Sequence, residues 1–269
     1  MAPIITFLTD FGLEDDFVGT CKGVIKRIAP DAEILDITHG IAPQQVLQGA
    51  LVLASTLPYF PEGIHLAVVD PGVGTERKAI CLLGEDGRSY VGPDNGLLVP
   101  AAERLGGIAA AWELANPQYR LDPVSATFHG RDIFAPAAAH LANGTSLHEL
   151  GPPVDPATLV RLGVREPAIG PGVITAHVLI VDRFGNVQLN LTAKDLEGVG
   201  IDAGAGVEIA IGLERFYAVA ARTFADVPRG DIALYEDSYG NVALAINEGD
   251  AAAVLSARPG DSVRIRRRG

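Results

Sequence analysis

Short β-rich runs alternate with helical patterns over the first 70 residues, and this order constrains the fold more than any other feature of the chain. The β-rich runs are residues 4–8, 34–37 and 64–69. In the two segments between them apolar residues recur at helical spacing, and these segments end at Pro30 and Pro58. A β-α-β-α-β order of this kind predicts a mainly parallel sheet with right-handed crossover connections.

Carboxylates follow the first and the third of these runs. Because parallel strands end at the same edge of a sheet, where open α/β sheets bind their ligands, we expect Asp10 and Asp70 to share that edge. After Asp70, two glycines at 72 and 74 allow a close approach of the backbone, and Arg77 supplies a permanent positive charge within reach of the carboxylate. A tight hairpin with a surface ion pair is an equally compatible interpretation of this stretch alone.

A histidine adds a third candidate group. His129 and Gly130 lie just before a helical pattern that begins at Asp132, and the N-terminus of a helix favours a neutral histidine or an anion. Asp70, Arg77 and His129 together could bind and activate a water molecule. Taken singly, each also fits a structural role, as a turn aspartate, a surface arginine or a capping histidine.

Other chemistries receive less support from the motifs. Carboxylates and an imidazole suit zinc or manganese, but the chain lacks the H-x-x-x-H and H-x-H spacings that would support a metal site. It also lacks a G-x-S-x-G nucleophile motif. Cys21 and Cys81 lie in apolar patterns and are interpreted as reduced core thiols. The G-x-G that follows Asp70 leads to an arginine and another strand, which argues against a dinucleotide fingerprint.

The second half of the chain has a different texture. The proline-rich stretch 151–172 is interpreted as a linker between an N-terminal domain, 1–150, and a C-terminal domain, 173–269. Closely spaced short strands after it predict a small barrel or sandwich. Within that domain Phe184 could stack on a flat ring while Asn186 offers the paired donor and acceptor that read an adenine edge. A β-bulge with an asparagine turn is the structural alternative.

Composition limits the possible partners. Apolar residues make up 48% of the chain and charged residues 20%, which is a globular balance, and the net charge of −12 argues against a nucleic-acid surface. No apolar run approaches the ~18 residues that a membrane span needs, and no basic segment precedes the first apolar run. We therefore expect a soluble cytoplasmic protein without nucleic-acid or membrane partners.

Seven motifs, in order and spacing, resemble those of the S-adenosylmethionine hydroxide adenosyltransferases, relatives of the fluorinating and chlorinating enzymes that use the same substrate. They are residues 9–12 with Asp15 and Asp16, 70–74, Arg77, 92–96, 128–132, 182–186 and 246–249. The resemblance covers nearly the whole chain. It implies an N-terminal α/β domain, a smaller C-terminal β-barrel, and a homotrimer whose active sites lie between the first domain of one subunit and the second domain of its neighbour.

The resemblance also implies an activity. Members hydrolyse S-adenosyl-L-methionine to adenosine and L-methionine by in-line attack of water or hydroxide at ribose C5′, with neither cofactor nor metal. The water-activating set carries over to Asp70, Arg77 and His129. The implied substrate contacts are Asp10 for the ribose hydroxyls, Phe184, Asn186 and Phe224 for adenine, and Asp15, Asp182 and Ser238 around the methionine end.

Departures from the halogenating branch favour water as the nucleophile. Asp70 and His129 stand where the fluorinating enzymes have tyrosines, Val73 replaces a threonine, and Gly130 replaces the serine that binds fluoride. Two further differences, at Phe17 and at position 44, leave the packing around methionine and ribose open. The alternatives are a halide-using adenosyltransferase, a non-catalytic adenosine-binding protein, and a metal-dependent hydrolase built on the carboxylates of residues 10 and 70 with the imidazole of residue 129.

Overall fold

The computed structural model describes residues 2–268 and divides into two compact units, of which the first ends at Leu162 and the second begins at Gly163. That boundary lies inside the proline-rich stretch 151–172. The stretch contributes a short strand to each unit, residues 153–154 to the first and residues 168–170 to the second. Both strands are paired with longer neighbours, so this part of the chain is built into the two sheets.

The first unit is an α/β domain. Its strands and longer helices are, in chain order, β1 (Ile4–Thr9), α1 (Phe17–Ile28), β2 (Glu33–Thr38), α2 (Val46–Thr56), β3 (Ile64–Val68), β4 (Ala79–Gly84), β5 (Ser89–Pro93), α3 (Val99–Arg104), β6 (Ile108–Glu113), α4 (Ala135–Ala142) and β7 (Pro153–Val154). The strand order in the sheet is β2-β1-β3-β5-β4-β6-β7. Pairing is parallel from β2 through β5 and antiparallel from β4 onwards, which confirms the predicted mainly parallel sheet.

Helices cover both faces of this sheet because successive strand residues point to opposite sides. On β1, Phe7 faces the layer formed by α1 and α4, whereas Leu8 faces the layer formed by α2 and α3. Helix α1 shows how the pattern produces the layer, since its buried residues recur at helical spacing: Val18, Cys21, Val24 and Ile25. Two apolar cores therefore clamp the sheet, and the strand ends are held rigidly.

The second unit is a closed β-barrel. Its elements are β8 (Ala168–Gly170), β9 (Val173–Val181), β10 (Val187–Leu189), α5 (Ala193–Glu197), β11 (Gly206–Ile211), β12 (Glu214–Ala220), β13 (Ile232–Glu236), β14 (Val242–Ile246), α6 (Ala251–Leu255) and β15 (Ser262–Arg267). Seven strands close in the order β9-β10-β14-β13-β12-β11-β15, because β9 pairs with both β10 and β15. Of the two architectures that the sequence allowed, the structure has the barrel.

Alternating burial along the barrel strands forms the second core. On β9, Ile174, Ala176 and Val178 are buried while the residues between them are partly exposed. Throughout residues 2–268, no helix combines the length and the apolar character that crossing a bilayer requires.

Candidate active site

Strands β1 and β3 deliver two carboxylates to one edge of the sheet. They pair in parallel with Thr9 opposite Val68, so Asp10 and Asp70 follow at the same carboxyl edge, as the sequence predicted. Both carboxylates line one cavity of about 350 Å³. The other lining residues are Phe11, Phe17, Pro43, Gln44, Val68, Pro71, Val73, Thr127, Phe128, His129 and Gly130.

Arg77 folds back onto Asp70 and forms a bidentate ion pair. Its Nε donates to Oδ1 of Asp70 at 3.1 Å, and its Nη2 donates to Oδ2. The two side chains are only 8% and 6% exposed, so this is a buried, charge-assisted pair and the surface ion pair left open by the sequence is not formed. Gly74 makes the fold of this loop possible: its φ is +77°, and a Cβ there would collide with the carbonyl oxygen of Ala126.

His129 is attached to the same guanidinium. Nη2 of Arg77 lies 3.1 Å from Nδ1 of His129. Because a guanidinium can only donate, Nδ1 must accept, and a neutral His129 then carries its proton on Nε2. Burial, and after it the charge of Arg77, lowers the pKa of His129 from its ordinary value, which favours this neutral form. Asp70, Arg77 and His129 are thus one hydrogen-bonded set.

A widened helical turn holds His129 in place. Residues Gly130–Phe134 form a π-helical turn that continues into α4, and such turns frequently occur at functional sites. Asp132 within it is 1% exposed and accepts from the backbone N of Ser125 at 2.8 Å and from Nε of Arg131 at 2.6 Å. The buried carboxylate therefore fixes the loop that leads into His129. The sequence predicted a helix from Asp132 but not the wider turn before it.

Asp10 is held by a strained neighbour. The backbone N of Gln44 donates to Oδ2 of Asp10 at 2.8 Å, and Gln44 has a φ of 65°, a conformation that residues with a Cβ rarely adopt. Strain of this kind concentrates at functional sites. Burial raises the pKa of Asp10 above its ordinary value, and the hydrogen bond from residue 44 opposes that shift.

Three phenylalanine rings line the same cavity. Phe11, Phe17 and Phe128 meet edge to face, with centroids 5.2 to 6.0 Å apart. Their proximity to each other was not predicted. A signal was nevertheless present, because each ring is next in sequence to a charged or titratable group: Asp10, Asp16 or His129.

The barrel has its own candidate cavity. Phe184, Asn186 and Phe224, the three predicted adenine contacts, line an open cavity of about 500 Å³ together with residues 246–249. Phe184 is 69% exposed and Phe224 is 45% exposed. Asp182 shapes this loop, because its Oδ1 accepts from the backbone N of Phe184 at 2.8 Å and its Oδ2 accepts from Nδ2 of Asn186 at 2.7 Å.

The residues predicted around the methionine end lie elsewhere within their units. Asp15 is exposed in the loop before α1, and Ser238 is exposed in the loop after β13. Neither of them, nor Asp182, lines the 350 Å³ cavity or the 500 Å³ cavity. Their contact with substrate stays a prediction.

A further cavity, of about 600 Å³, lies in the barrel beside α5 and is lined mainly by acidic and aliphatic residues. It contains none of the predicted site residues, and its Tyr235 has a pKa raised to about 12 by burial. Across residues 2–268, no three side chains of the His, Cys, Asp and Glu types are grouped closely enough to hold a metal ion.

Two family models match consecutive parts of the chain. The family model for the SAM hydroxide adenosyltransferase N-terminal domain matches residues 5–151, and the model for the SAM hydroxide adenosyltransferase C-terminal domain matches residues 176–264.

Individual relatives extend over nearly the whole chain. The (R)-S-adenosyl-L-methionine hydrolase of Salinispora tropica is 50% identical over 98% of this chain and 97% of that protein. A fluorinase of an Actinoplanes species is 30% identical, again over 98% and 97%. The crystal structure of an uncharacterized conserved protein from Thermotoga maritima superposes with a TM-score of 0.90 at 41% identity, covering 98% of this chain and 100% of the other. With both domain models matched in order and relatives this similar along its length, the chain belongs to the SAM hydroxide adenosyltransferase family.

Proposed function

We propose that this protein hydrolyses S-adenosyl-L-methionine to adenosine and L-methionine. The observation that carries the proposal is the hydrogen-bonded set of Asp70, Arg77 and His129 on the wall of a cavity that also contains Asp10. Relatives that bear the name (R)-S-adenosyl-L-methionine hydrolase support it, since one of them is 50% identical to this chain.

The reaction is an in-line displacement at ribose C5′. A bond forms between the water oxygen and C5′, the bond from C5′ to sulfur breaks, and sulfur keeps the electron pair as the neutral thioether of methionine. The leaving group needs no proton, so catalysis consists of positioning the nucleophile and stabilising its developing negative charge. Bulk water is a very weak acid, so the site must favour a hydroxide-like species strongly.

Hydrogen-bond capacity divides the roles within the set. Arg77 has no acceptor, and Nδ1 of His129 is already occupied by Arg77, so neither of these groups can take a proton from water in this arrangement. Asp70 keeps free lone pairs on both carboxylate oxygens and acts as the proton acceptor. The Nε2 proton of His129 and the charge of Arg77 then stabilise the nucleophile.

The remaining groups suit the rest of the substrate. Asp10 would bind the ribose hydroxyls, and the rings of Phe11, Phe17 and Phe128 provide an apolar, π-rich wall for the cationic sulfonium. The barrel cavity would receive adenine, with Phe184 stacking on the base and Asn186 reading its edge. The homotrimer, the cytoplasmic location and the independence from metals and cofactors are part of the proposal, and sedimentation of the purified protein tests the trimer.

Product analysis of chelator-treated protein tests the activity. Incubated with S-adenosylmethionine in ¹⁸O-labelled water, it should release methionine and adenosine whose 5′-oxygen carries the label. Added chloride or fluoride should leave the product unchanged. A 5′-halo-5′-deoxyadenosine product would instead indicate a halide-using enzyme, loss of turnover on chelation a metal-dependent hydrolase, and binding without methionine release an adenosine-binding protein.

A further inference from the structure

A buried hydrogen bond joins two residues that no proposed step of the reaction uses. Thr9 is the last residue of β1 and is 0% exposed, and His39 directly follows β2 and is 4% exposed. Oγ1 of Thr9 lies 2.8 Å from Nδ1 of His39. Because β1 and β2 are parallel neighbours, this contact crosses the sheet at the edge where Asp10 emerges.

The other contacts of these two side chains show which of them donates the hydrogen bond. Nε2 of His39 lies 3.2 Å from Oδ1 of Asp36, and a carboxylate there favours the tautomer that carries its proton on Nε2. Nδ1 is then an acceptor, so the Thr9 hydroxyl donates to it. Oγ1 of Thr9 in turn accepts from the backbone N of Phe11 at 3.1 Å. The other oxygen of Asp36 accepts from Nζ of Lys22 at 2.6 Å.

A second bond ties the same turn to His39. The backbone N of Gly12 donates to the carbonyl oxygen of His39 at 2.8 Å. The turn that carries Asp10 is therefore held at the two residues that follow this carboxylate, through the backbone N of Phe11 and of Gly12. The ring of His39 is itself held edge-on by Phe7, with centroids 4.9 Å apart.

The order of carboxylate, imidazole and hydroxyl is that of a hydrolase triad, but this set cannot supply a nucleophile. The Thr9 hydroxyl is buried and does not line the cavity of Asp10 and Asp70. The set is instead hydrogen-bonded to the backbone of the Asp10 turn, through Oγ1 of Thr9. We infer that Asp36, His39 and Thr9 form a positioning relay that holds the Asp10 carboxylate in place for the ribose hydroxyls. This inference rests on the proposed function, in which Asp10 is the ribose contact.

The molecule contains a matched control on the same strand. Oγ1 of Thr6 lies 2.9 Å from Nδ1 of His65, and both residues are 0% exposed. This second threonine–histidine pair lies in the core beside Tyr90, and neither side chain is hydrogen-bonded to the Asp10 turn. Thr6→Val and Thr9→Val therefore remove the same kind of buried bond, but only Thr9→Val removes a bond that leads to the site.

The test measures the Kd for adenosine by calorimetry and the KM for S-adenosylmethionine, with Tm as a readout of structure. Both valine variants should lower Tm, but Thr9→Val should raise both constants about tenfold, because a charged hydrogen bond to ligand is misplaced, while Thr6→Val leaves them within about twofold. In an Asp10→Ala background, Thr9→Val should add less than about twofold, since the positioned group is gone.

Equal effects of Thr6→Val and Thr9→Val on the two constants would overturn the relay, and so would an unchanged effect of Thr9→Val in the Asp10→Ala background. Should Thr9→Val fail to fold, His39→Leu fills a similar volume beside Phe7 and removes the same contact, with the same expectation. Adenosine binding is measured without turnover. A wild-type protein that binds adenosine but does not cleave S-adenosylmethionine would therefore refute the hydrolysis and still test the relay.

Discussion

The two units differ in how firmly the predicted site residues are held and how far they are buried. In the N-terminal unit, Asp70 and Arg77 are 6% and 8% exposed and are joined to His129 by charge-assisted bonds. In the barrel, Phe184 is 69% exposed and lines an open cavity. Groups that stabilise charge act best when they are fixed and shielded from water, whereas a stacking ring needs only a face that is free for the ligand. The difference fits the proposed function, in which the first unit carries the chemistry and the second recognises adenine.

Removing the carboxylate of Asp70 should have the largest effect, and it tests whether the chemistry belongs to the first unit. Asp70→Asn keeps the shape but loses the proton acceptor, so kcat should fall by about 10³-fold, within the range typical of general-base catalysis, while the Kd for substrate stays within about threefold. Single-turnover kinetics and calorimetry separate the two quantities. Asp86→Asn is the matched control, because Asp86 also pairs with an arginine, Arg88, but lies outside the cavity. Loss of binding with unchanged turnover would reverse the assignment.

Removing a predicted adenine contact of the barrel should have the opposite effect, on KM and not on kcat. Phe184→Ala should raise KM about tenfold to a hundredfold, because stacking of an aromatic ring on a base is worth about 1–3 kcal/mol, and kcat should hardly change. Steady-state kinetics with S-adenosylmethionine checks this. Leu213→Ala, at a fully exposed apolar residue of the barrel, should change neither constant. A fall in kcat with an unchanged KM would place Phe184 in the chemistry instead.

Acid should lower kcat by protonating His129 in the N-terminal unit. Burial and Arg77 lower the pKa of His129 below its ordinary 6.5. We therefore expect kcat to be level from neutral pH down to the lowered pKa, and to fall about tenfold per pH unit below it. Protonation would place a second cation against Arg77 and break their bond. The histidine also contributes stability that is present above pH 6.5 and is lost as the pH falls through the folded-state pKa.

A pH profile of kcat tests this acid limb, and His129→Asn provides the comparison because its side chain does not titrate. The variant should be slow at every pH but should lack the wild-type fall. An acid limb that is identical in both proteins would assign the titration to a different group.

The smallest expected effect concerns the aromatic wall. Phe17→Leu keeps apolar volume but removes a ring, and it should weaken binding of cationic S-adenosylmethionine about threefold, as expected for a partly exposed cation–π contact. The neutral thioether S-adenosylhomocysteine should bind the variant and the wild type equally. Calorimetry with both ligands checks the difference. An equal loss of affinity for both ligands would show that the ring contributes only apolar packing.

Much of the fold was predictable because its signals are local. Apolar runs and helical spacing are properties of short segments, so the order of elements up to β3 and the many short strands of the barrel could be predicted from them. The shared edge of Asp10 and Asp70 then followed from the rule for parallel strands and is confirmed. The π-helical turn at Gly130–Phe134 was not predictable from helical spacing, because Asp132 within it is buried and hydrogen-bonded to the preceding loop at Ser125.

By itself, the sequence determined which residue types stand at the ends of which strands, and so that carboxylates, a guanidinium and an imidazole were available for one site. Only the tertiary structure decided that Arg77 bonds to Asp70 and to His129, which lies 52 residues further along the chain, and that Thr9 meets His39 beneath the Asp10 turn. The physical reason is that a hydrogen bond between distant segments depends on loop conformations and packing, which local periodicity does not encode.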